Sequence, residues 1–473
     1  MNKNLVLLVL VVLAVFVIAA CAPAPTAVPP TPVPATKAPV SSSAAPSSAA
    51  SSVASSVAPT SAPASSSAAS SAPTSSAASS AASKPSVRTK ANPGEKLTLY
   101  HLGDVTGPYA AITTPLVNGF ADGVKYINAQ GGIRGAEVLV EWSDTANKLE
   151  LAVSAYNRFR EKKPLIMQLY GSTETEGLRD RFAEDKIPAM TAGVSAKGTY
   201  PPSYVFAIVP IYSDQFGLFL DWLKANWDKV KPAKGQGLDS PKVAVLTWDS
   251  AFGRGALTAE TQAYADKLGI KIVTQELFAV GAPDVTTQIL AAKKAGANVI
   301  YTNTLAHGPA QILKDSVSLG VREEFLIGGV NWSLDTSMLG LAKEASEGFY
   351  GVLPNQWWDD ANEPGVKLVT EQFTANQRKP AEKSVGYLLA FAFTDAMKQY
   401  IEKTIDRVGF EGLTGQAIYE TMISGEIKPT SGVTTFAFNK DLRATTKARI
   451  AQVKAGKFVY VTDWMTTPDL KPK

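Results

Sequence analysis

The stretch that decides the fold reads KVAVLTWDSAFGRG from Lys242 to Gly255. It begins with a short run rich in apolar side chains, which is typical of a strand buried on both faces of a parallel sheet. A helical pattern follows near Gly253–Leu268, and strands alternate with helices from there on. This alternation predicts an α/β lobe built from crossover units, with strands at Lys271–Leu277, Asn298–Asn303 and Glu324–Gly328 and helices at Val285–Ala295 and Pro309–Leu319.

The same alternation occurs earlier in the chain and predicts a second lobe. Its expected elements are strands at Lys96–Leu102, Val138–Asp144 and Pro164–Tyr170 and helices at Pro115–Asn128 and Leu149–Lys162. The predicted fold class is therefore α/β, with two doubly wound parallel-sheet lobes.

Beyond Gly348 the predicted strands and helices no longer alternate. Three helices are predicted in succession, near Pro364–Asn376, Ser384–Lys403 and Leu413–Ser424. A strand is expected at Gly432–Phe438, and two more at Ala448–Val453 and Phe458–Val461. The short polar turn between the last two predicts an antiparallel pair.

The charge of the chain is divided unevenly along its length. Residues 1–90 hold five of the 46 basic residues and none of the 42 acidic ones, so residues 91–473 carry a net charge of −1. No basic stripe remains in this region to neutralise a phosphate backbone, which argues against nucleic-acid binding. A length of 473 residues allows two or three domains with well-buried cores.

The N-terminus carries an apolar stretch, Leu5–Ala20, followed by Cys21, the only cysteine of the chain. Sixteen apolar residues fall short of the roughly 20 that span a bilayer and suit the core of a signal peptide. The ending Ile18–Cys21 resembles a bacterial lipoprotein box. The resemblance implies removal of residues 1–20, lipidation of Cys21 and an extracytoplasmic location on the cell membrane; an uncleaved short anchor is the alternative.

A linker is predicted from Cys21 to residue 92. Residues 41–83 contain only Ser, Ala, Pro, Thr and Val, so they cannot bury enough apolar surface to offset the entropy of ordering. A flexible tether of about 70 residues, the length of the whole linker, has an r.m.s. end-to-end distance on the order of 45 Å. The composition also permits a glycosylated stalk, and this alternative stays open.

The residues needed for catalysis or metal binding are scarce. With one cysteine and two histidines, His101 and His307, the chain offers little for a zinc site or a catalytic triad, so we expect no metal, no cofactor and no enzymatic activity. Thr258 stands where the glycine pattern of Gly253–Gly255 would need a third glycine, which excludes a dinucleotide fingerprint. The motif Gly193–Gly198 misses the nucleophile-elbow spacing by one residue.

In open parallel sheets the ligand site lies outside the carboxyl ends of the strands. The loops expected at these ends are rich in Gly, Ser, Thr, Asn and aromatic residues, a mixture that suits a small uncharged or carboxylate ligand. They are Gly103–Ala111, Gly171–Glu174, Thr191–Lys197, Asp249–Gly253, Thr304–Gly308 and Gly329–Asp335.

Several motifs in these regions occur in the order typical of one family. They are Thr106–Ala110, Ile127–Gly135, Gly171–Thr173, Asp249–Gly253, Lys294–Ala297 and Gly348–Gly351. Over about residues 95–465 the chain resembles the periplasmic binding proteins of the leucine/isoleucine/valine type, which serve ABC importers. The resemblance implies a monomer that binds a small amino acid, amide or organic acid in a cleft, closes by hinge motion and docks on permease subunits.

The resemblance also implies the domain boundaries and the site. Three chain crossings would join a first lobe, residues 93–211 and 354–440, to a second lobe, residues 212–353 and 441–473. In the first lobe, hydroxyl-bearing loops would hold a ligand carboxylate and a tyrosine would pack over it. The second lobe would close the cleft, and the implied ligand-binding residues are Tyr109, Ser172, Thr173, Gly193, Ser195, Phe252, His307, Asn331 and Trp332.

One position departs from the pattern of the family. Relatives that bind amino acids place a carboxylate after the strand ending here at Gly328, and this chain has Val330 at or next to that position. Because a buried ammonium needs a charged partner, either Asp335 reaches into the cleft or the ligand lacks an α-ammonium group. Trp357 and Trp358 are expected either to stack on the ligand or to pack at the hinge. A ligand-sensing receptor and, less favoured, an extracytoplasmic hydrolase remain alternatives.

Overall fold

The computed structural model describes residues 87–429, 431 and 435–472. The predicted signal peptide, the lipidation site Cys21 and most of the predicted linker lie outside the described residues. Across the described ranges, no helix is both long and apolar enough to cross a bilayer, and no three His, Cys, Asp or Glu side chains are grouped as metal ligands.

The first sheet contains five strands in the order β2-β1-β3-β4-β5, and every pair in it is parallel. The last five residues of β1 are all buried, as expected for a strand covered by helices on both faces. The elements of this part are β1 (Lys96–Gly103), α1 (Ala110–Ala129), β2 (Glu137–Asp144), α2 (Leu149–Arg160), β3 (Met167–Leu169), α3 (Ser172–Glu184), β4 (Ala189–Thr191), α4 (Ala196–Thr199) and β5 (Val205–Ala207).

The second sheet has eight strands. Seven follow the order β14 (Lys457–Tyr460), β13 (Lys447–Lys454), β10 (Tyr350–Leu353), β9 (Leu326–Gly329), β8 (Val299–Thr302), β6 (Lys242–Trp248) and β7 (Lys271–Phe278), and β15 (Met465–Thr466) pairs with β13. Its strands from β6 to β10 pair in parallel. The elements that build this part up to β10 are α5 (Tyr212–Val230), β6 (Lys242–Trp248), α6 (Ala251–Arg254), α7 (Ala259–Leu268), β7 (Lys271–Phe278), α8 (Thr286–Lys294), β8 (Val299–Thr302), α9 (His307–Ser318), β9 (Leu326–Gly329), α10 (Thr336–Ala342) and β10 (Tyr350–Leu353). Short 3₁₀ turns lie at Arg322–Glu324, Asn331–Ser333, Lys343–Ser346 and Pro380–Glu382.

The remaining elements complete both halves of the molecule. They are α11 (Pro364–Ala375), α12 (Val385–Val408), α13 (Gly415–Met422), β11 (Gly425–Ile427), β12 (Phe436–Phe438), β13 (Lys447–Lys454), β14 (Lys457–Tyr460) and β15 (Met465–Thr466). β13 pairs antiparallel with β10 and with β14, so it gives the second sheet an antiparallel edge.

The chain passes between the two sheets three times. It leaves the first sheet after β5, returns after β10 to form α12, and rejoins the second sheet at β13. α12 packs closely along α1. A Cβ atom added to Gly119 of α1 would lie only 2.9 Å from the Cβ atom of Ala390 of α12. The molecule is therefore two α/β halves, as the sequence predicts, joined by three chain crossings, as the resemblance implies.

The strands of both series are found close to their predicted positions, and the antiparallel pair at the C-terminus is present. The predicted helix near Gly253–Leu268 is instead two helices, α6 and α7. Ser250 caps the first and Thr258 caps the second, each accepting a backbone N–H from three residues further on. Two capping hydroxyls so close together favour two short helices over one.

Two tryptophans that the sequence left ambiguous pack as structural groups, and so does His101. The ring of Trp357 contacts Phe458, and Trp358 contacts both Phe373 and Tyr387. His101 is fully buried and stacks on Phe120. Burial lowers the pKa of His101 to about 3, so this residue is a neutral core group.

The C-terminal segment is held against the first turn of α5. The backbone N–H of Leu470 donates to Asp214 at 2.8 Å, and burial raises the pKa of Asp214 to about 7, with Asp469 adding to the shift and Lys471 opposing it. A carboxyl whose pKa is raised on folding contributes stability that is complete below its unfolded pKa, near 4, and is lost as the pH rises to about 7.

We therefore expect Asp214→Asn to remove one component of the pH dependence of stability. Above pH 7 the variant should be more stable than the native chain by on the order of a few kcal/mol, because the amide keeps an acceptor for Leu470 without a buried charge. Urea unfolding at several pH values between 4 and 8 measures the difference. The control is Asp228→Asn on the same helix, whose side chain is 93% exposed; a similar pH profile for both variants would contradict the assignment.

Candidate functional site

A small cavity lies where the carboxyl ends of the strands of the two sheets face each other. It is lined by nine residues: Tyr109, Tyr170, Gly171, Ser172, Ala192, Tyr212, Phe252, Leu305 and Trp332. They come from the loops after β1, β3 and β4 of the first sheet, from the start of α5, and from the loops after β6, β8 and β9 of the second sheet. This is where the topology of open parallel sheets places a ligand.

Aromatic rings from the two sides of the cavity contact each other directly. Tyr109 stacks on Trp248, with ring centroids 5.7 Å apart and planes 10° apart. Tyr170 meets Trp332 edge to face at 5.9 Å. The space left between the rings is about 10 Å³, which is room for about one water molecule. The two halves are thus closed on one another around a largely aromatic surface.

Hydroxyl groups of several lining residues give the cavity a polar edge. The Ser172 hydroxyl lies 3.4 Å from that of Tyr212. The hydroxyl of Tyr170 is buried and has no hydrogen-bond partner among the described residues, and burial raises its pKa well above the ordinary value. A buried hydroxyl without a partner is costly, so Tyr170 presents an unused donor at the cavity.

The N-terminus of α3 points at the same region. Gly171 occupies the N-cap position, and the first amide groups of the helix, from Ser172 onward, have no intrahelical acceptor. The buried carboxylate of Glu174 accepts the backbone N–H groups of Tyr170 at 2.7 Å and Gly171 at 2.8 Å. Burial raises the pKa of Glu174, against the lowering effect of these hydrogen bonds. The free amides and the Ser172 hydroxyl together can donate hydrogen bonds to an anionic oxygen.

The two loops of the first sheet touch through their backbones. A Cβ atom on Gly193 would lie 2.3 Å from the carbonyl carbon of Gly171 and 2.4 Å from the nitrogen of Ser172. Only glycine permits this approach. The role of Gly193 in the structure is therefore to let the loop after β4 lie against the start of α3, and it does not itself line the cavity.

The predicted site residues fall into two groups. Tyr109, Ser172, Phe252 and Trp332 line the cavity. Ser195 does not, because its hydroxyl donates to Glu176 at 2.6 Å and accepts the backbone N–H of Gly198 at 3.2 Å, which caps the short helix α4. The others that lie outside the cavity lining are Thr173, Gly193, His307 and Asn331.

Two of these residues are close to the cavity without lining it. His307 begins α9 and its ring centroid lies 4.6 Å from that of Trp248; burial lowers its pKa. The side-chain amide of Asn331 is fully buried and has no hydrogen-bond partner among the described residues. Its backbone N–H donates to the side-chain oxygen of Gln215 at 3.1 Å.

Sequence reasoning missed five lining residues as individual site residues: Tyr170, Gly171, Ala192, Tyr212 and Leu305. Tyr170 directly precedes a predicted site loop, and Gly171, Ala192 and Leu305 lie inside predicted site loops. Tyr212 begins α5, immediately after the first crossing between the sheets. A helix that starts at a crossing brings its first turn to the junction of the two halves, and this was the available signal.

The structure settles what Asp335 does. It is fully buried, and one of its oxygens accepts the backbone N–H and the hydroxyl of Ser337, at 2.9 Å and 2.6 Å. The other oxygen accepts the backbone N–H of Val385 at 2.8 Å. Asp335 therefore caps α10 and joins it to the start of α12. It does not reach the cavity, and none of the described lining residues carries a carboxylate.

The fold and this site define a class of protein that binds a small molecule between two α/β halves. The chain belongs to the periplasmic binding protein family, whose model matches residues 98–457, and its fold is the type I fold of that family.

Among curated relatives, "Leu/Ile/Val-binding protein homolog 1" of Brucella suis is 25% identical over 264 residues, which are 54% of this chain and 67% of the relative. The "Leu/Ile/Val/Thr-binding protein" of Salmonella typhimurium is 22% identical over 283 residues, 59% of this chain and 73% of the relative. These relatives are named as binding proteins.

Solved structures with the same fold include two from ABC transporters. One is a branched chain amino acid ABC transporter from Thermus thermophilus with bound valine, which is 23% identical, has a TM-score of 0.70, and is similar over 80% of this chain and 98% of that one. The other is a fatty acid ABC transporter substrate-binding protein from Thermomonospora curvata, with 20% identity, a TM-score of 0.68, and coverage of 80% and 94%.

Proposed function

We propose that this chain is the extracytoplasmic solute-binding component of an ABC importer. It binds a small amino acid-like, amide or carboxylate solute between its two halves and delivers the solute, chemically unchanged, to a permease. The observation that carries this proposal is the cavity at the carboxyl ends of both sets of strands, where Tyr109 and Trp248 meet across the junction. The names of the relatives, which are binding proteins for aliphatic amino acids, support the transport role.

The mechanism is differential affinity for two arrangements of the halves. A solute that contacts both sides of the cavity stabilises the closed arrangement, and the permease recognises that arrangement. In this proposal the protein acts as a monomer, and the lipid on Cys21 with the linker to residue 92 keeps it near the membrane.

The polar edge of the cavity is the proposed site of a solute carboxylate. The hydroxyl of Ser172 and the free amides at the N-terminus of α3 are placed to donate to an anionic oxygen. Phe252 and Trp332 would cover the rest of the solute from the opposite side. Four further residues border these groups in the proposed site: Thr173, Ser195, His307 and Asn331.

Thermal unfolding of the purified chain with a panel of amino acids, amides, betaines and organic acids tests the proposal. A solute that binds the folded form stabilises it by RT ln(1 + [L]/Kd), about 2.7 kcal/mol at a concentration 100 times Kd. We expect at least one member of the panel to raise the unfolding temperature in a saturable way. A flat response across the whole panel would overturn the transport role.

The proposed carboxylate site gives a sharper expectation. Ser172→Ala should lower the affinity for a carboxylate solute about 10-fold or more, because a hydrogen bond to a charged group contributes roughly 1.5–3 kcal/mol. Isothermal titration calorimetry with the solute identified in the panel measures the change. Ser318→Ala is the matched control, since that hydroxyl is exposed and bonds only within its own helix. Equal affinities for Ser172→Ala and the native chain would show that the carboxylate lies elsewhere.

A further inference from the structure

The rings that line the cavity are inclined to one another. Tyr109 is nearly perpendicular to Phe252, at 84°, and inclined by 66° to Tyr170. Tyr170 is inclined by 67° to Trp332, and Tyr212 by 49° to Phe252. A flat aromatic solute needs a slot between two parallel ring faces. The parallel pair here, Tyr109 and Trp248, leaves no such slot because its two rings contact each other. The space between the rings, about 10 Å³, must widen to admit any solute, and inclined rings then suit a compact, rounded group.

Buried acidic groups lie immediately behind these rings. Asp104 accepts the backbone N–H of Tyr109 at 3.0 Å, and Glu174 accepts those of Tyr170 and Gly171. Asp104 and Glu174 are 2% and 5% exposed, and burial raises the pKa of each. Neither forms an ion pair within the described residues, whose ion pairs involve other acids.

The described lining offers these two acids no positive charge. No lysine or arginine is among its nine described residues, while Asp104 and Glu174 each accept a backbone N–H from a lining residue. Hydrogen bonds from backbone and hydroxyl groups satisfy these carboxylates, but such bonds add no positive charge. A solute that brings a cation to the rings would lower the energy of this arrangement, and the electron-rich ring faces attract a cation directly.

From these observations we infer that the solute carries a quaternary ammonium group, held by the inclined rings. This inference rests on the proposed function and specifies its solute class as a betaine: a trimethylammonium group joined to a carboxylate. A primary ammonium would need hydrogen-bond acceptors for three N–H groups, and the described lining offers hydroxyl groups but no carboxylate to neutralise its charge. A trimethylammonium group has no N–H to satisfy, and its rounded shape matches the inclined rings.

The carboxylate end of a betaine fits the other part of the site. Ser172 lies on the same lining as Tyr170 and Trp332 and begins α3. A solute whose cation lies among the rings and whose carboxylate lies at the start of α3 would contact both halves of the molecule at once. This is the contact that the closed arrangement requires.

Calorimetric titration of the full-length protein with three probes tests the inference. Glycine betaine has the cation, 3,3-dimethylbutanoate replaces its nitrogen by carbon at nearly the same shape, and glycine keeps the charge but has a primary ammonium. We expect glycine betaine to bind at least 10-fold more tightly than either of the others. Equal affinity for betaine and its carbon analogue would mean that the rings select shape alone, and the inference would be wrong.

Two variants keep the test independent of folding. Tyr170→Phe retains a ring and should retain the preference for glycine betaine over 3,3-dimethylbutanoate. Tyr170→Leu retains apolar bulk without a ring and should reduce that preference several-fold. An unchanged preference in the leucine variant would contradict a ring-held cation. If betaine fails while another amino acid or organic acid of the thermal panel binds, the inference falls and the proposed function stands; if the whole panel fails, both fall.

Discussion

The Asp122→Asn variant should unfold with a free energy about 3 kcal/mol lower than that of the native chain, because it breaks a buried ion pair and leaves Arg378 only the more distant carboxylate of Glu382, at 3.9 Å. Asp122 lies on α1 and is fully buried. Its carboxylate accepts two N–H groups of Arg378, at 2.7 Å and 2.9 Å, and the hydroxyl of Tyr387 at 2.9 Å. These hydrogen bonds connect α1 to the segment before α12 and to α12 itself.

The asparagine variant keeps the shape of the side chain and removes its charge. The guanidinium of Arg378 is only 20% exposed, so water replaces the lost partner incompletely. The pairing with Asp122 raises the pKa of Arg378, which indicates that the charged form is the one the site stabilises. The expected cost is therefore near the low end of the 3–5 kcal/mol range for buried pairs.

Urea unfolding, followed by circular dichroism, measures this loss. The matched control is Asp406→Asn, which removes an ion pair with Arg134 between exposed side chains, 39% and 50% accessible. Exposed pairs contribute about 0–1 kcal/mol, so the control should unfold almost as the native chain does. Similar free energies for the two variants would show that the Asp122 cluster does not stabilise the packing of α1 on α12.

The Trp332→Ala variant should lose both stability and solute binding. Trp332 is 1% exposed and lines the cavity, where its ring meets Tyr170 from the opposite half. Truncation of a buried tryptophan costs about 3–5 kcal/mol, and it also removes the surface that covers the solute. We expect affinity for the solute identified in the thermal panel to fall by more than 100-fold.

Trp332→Phe separates the two effects. A smaller ring can keep the edge-to-face contact with Tyr170, so this variant should fold well and bind with intermediate affinity. Trp142→Ala is the control for loss of an exposed tryptophan, since Trp142 is 43% exposed on β2. Native affinity in Trp332→Ala would place the solute outside this cavity.

The sequence predicts the alternation of strands and helices because buried parallel strands leave a clear signal: short apolar runs between helical periods. It gives no strand at β4 or β5, which have three residues each. Shortness alone does not explain this, because β3 is equally short and lies within the predicted strand Pro164–Tyr170. The sequence also misses α5, in which even Ser213, Asp214 and Gln215 are buried. The first nine residues of this helix are all buried, polar ones included, so that part shows no alternation of apolar and polar faces.

The candidate site is predicted in position more reliably than in detail. Loops after parallel strands converge by topology, which is why Tyr109, Phe252 and Trp332 meet. A sequence does not reveal whether a hydroxyl faces a ligand or caps a helix: Ser172 lines the cavity, whereas Ser195 caps α4 and bonds Glu176. That choice depends on side-chain contacts across the fold.

The stacking of Tyr109 on Trp248 has a kinetic consequence. A solute cannot reach the cavity until these two rings separate, so spontaneous separation of the rings must precede binding. In a stopped-flow experiment the observed association rate would then level off at high solute concentration, at the frequency with which the rings separate. Tyr109→Ala, which removes one ring of the pair, should raise that plateau.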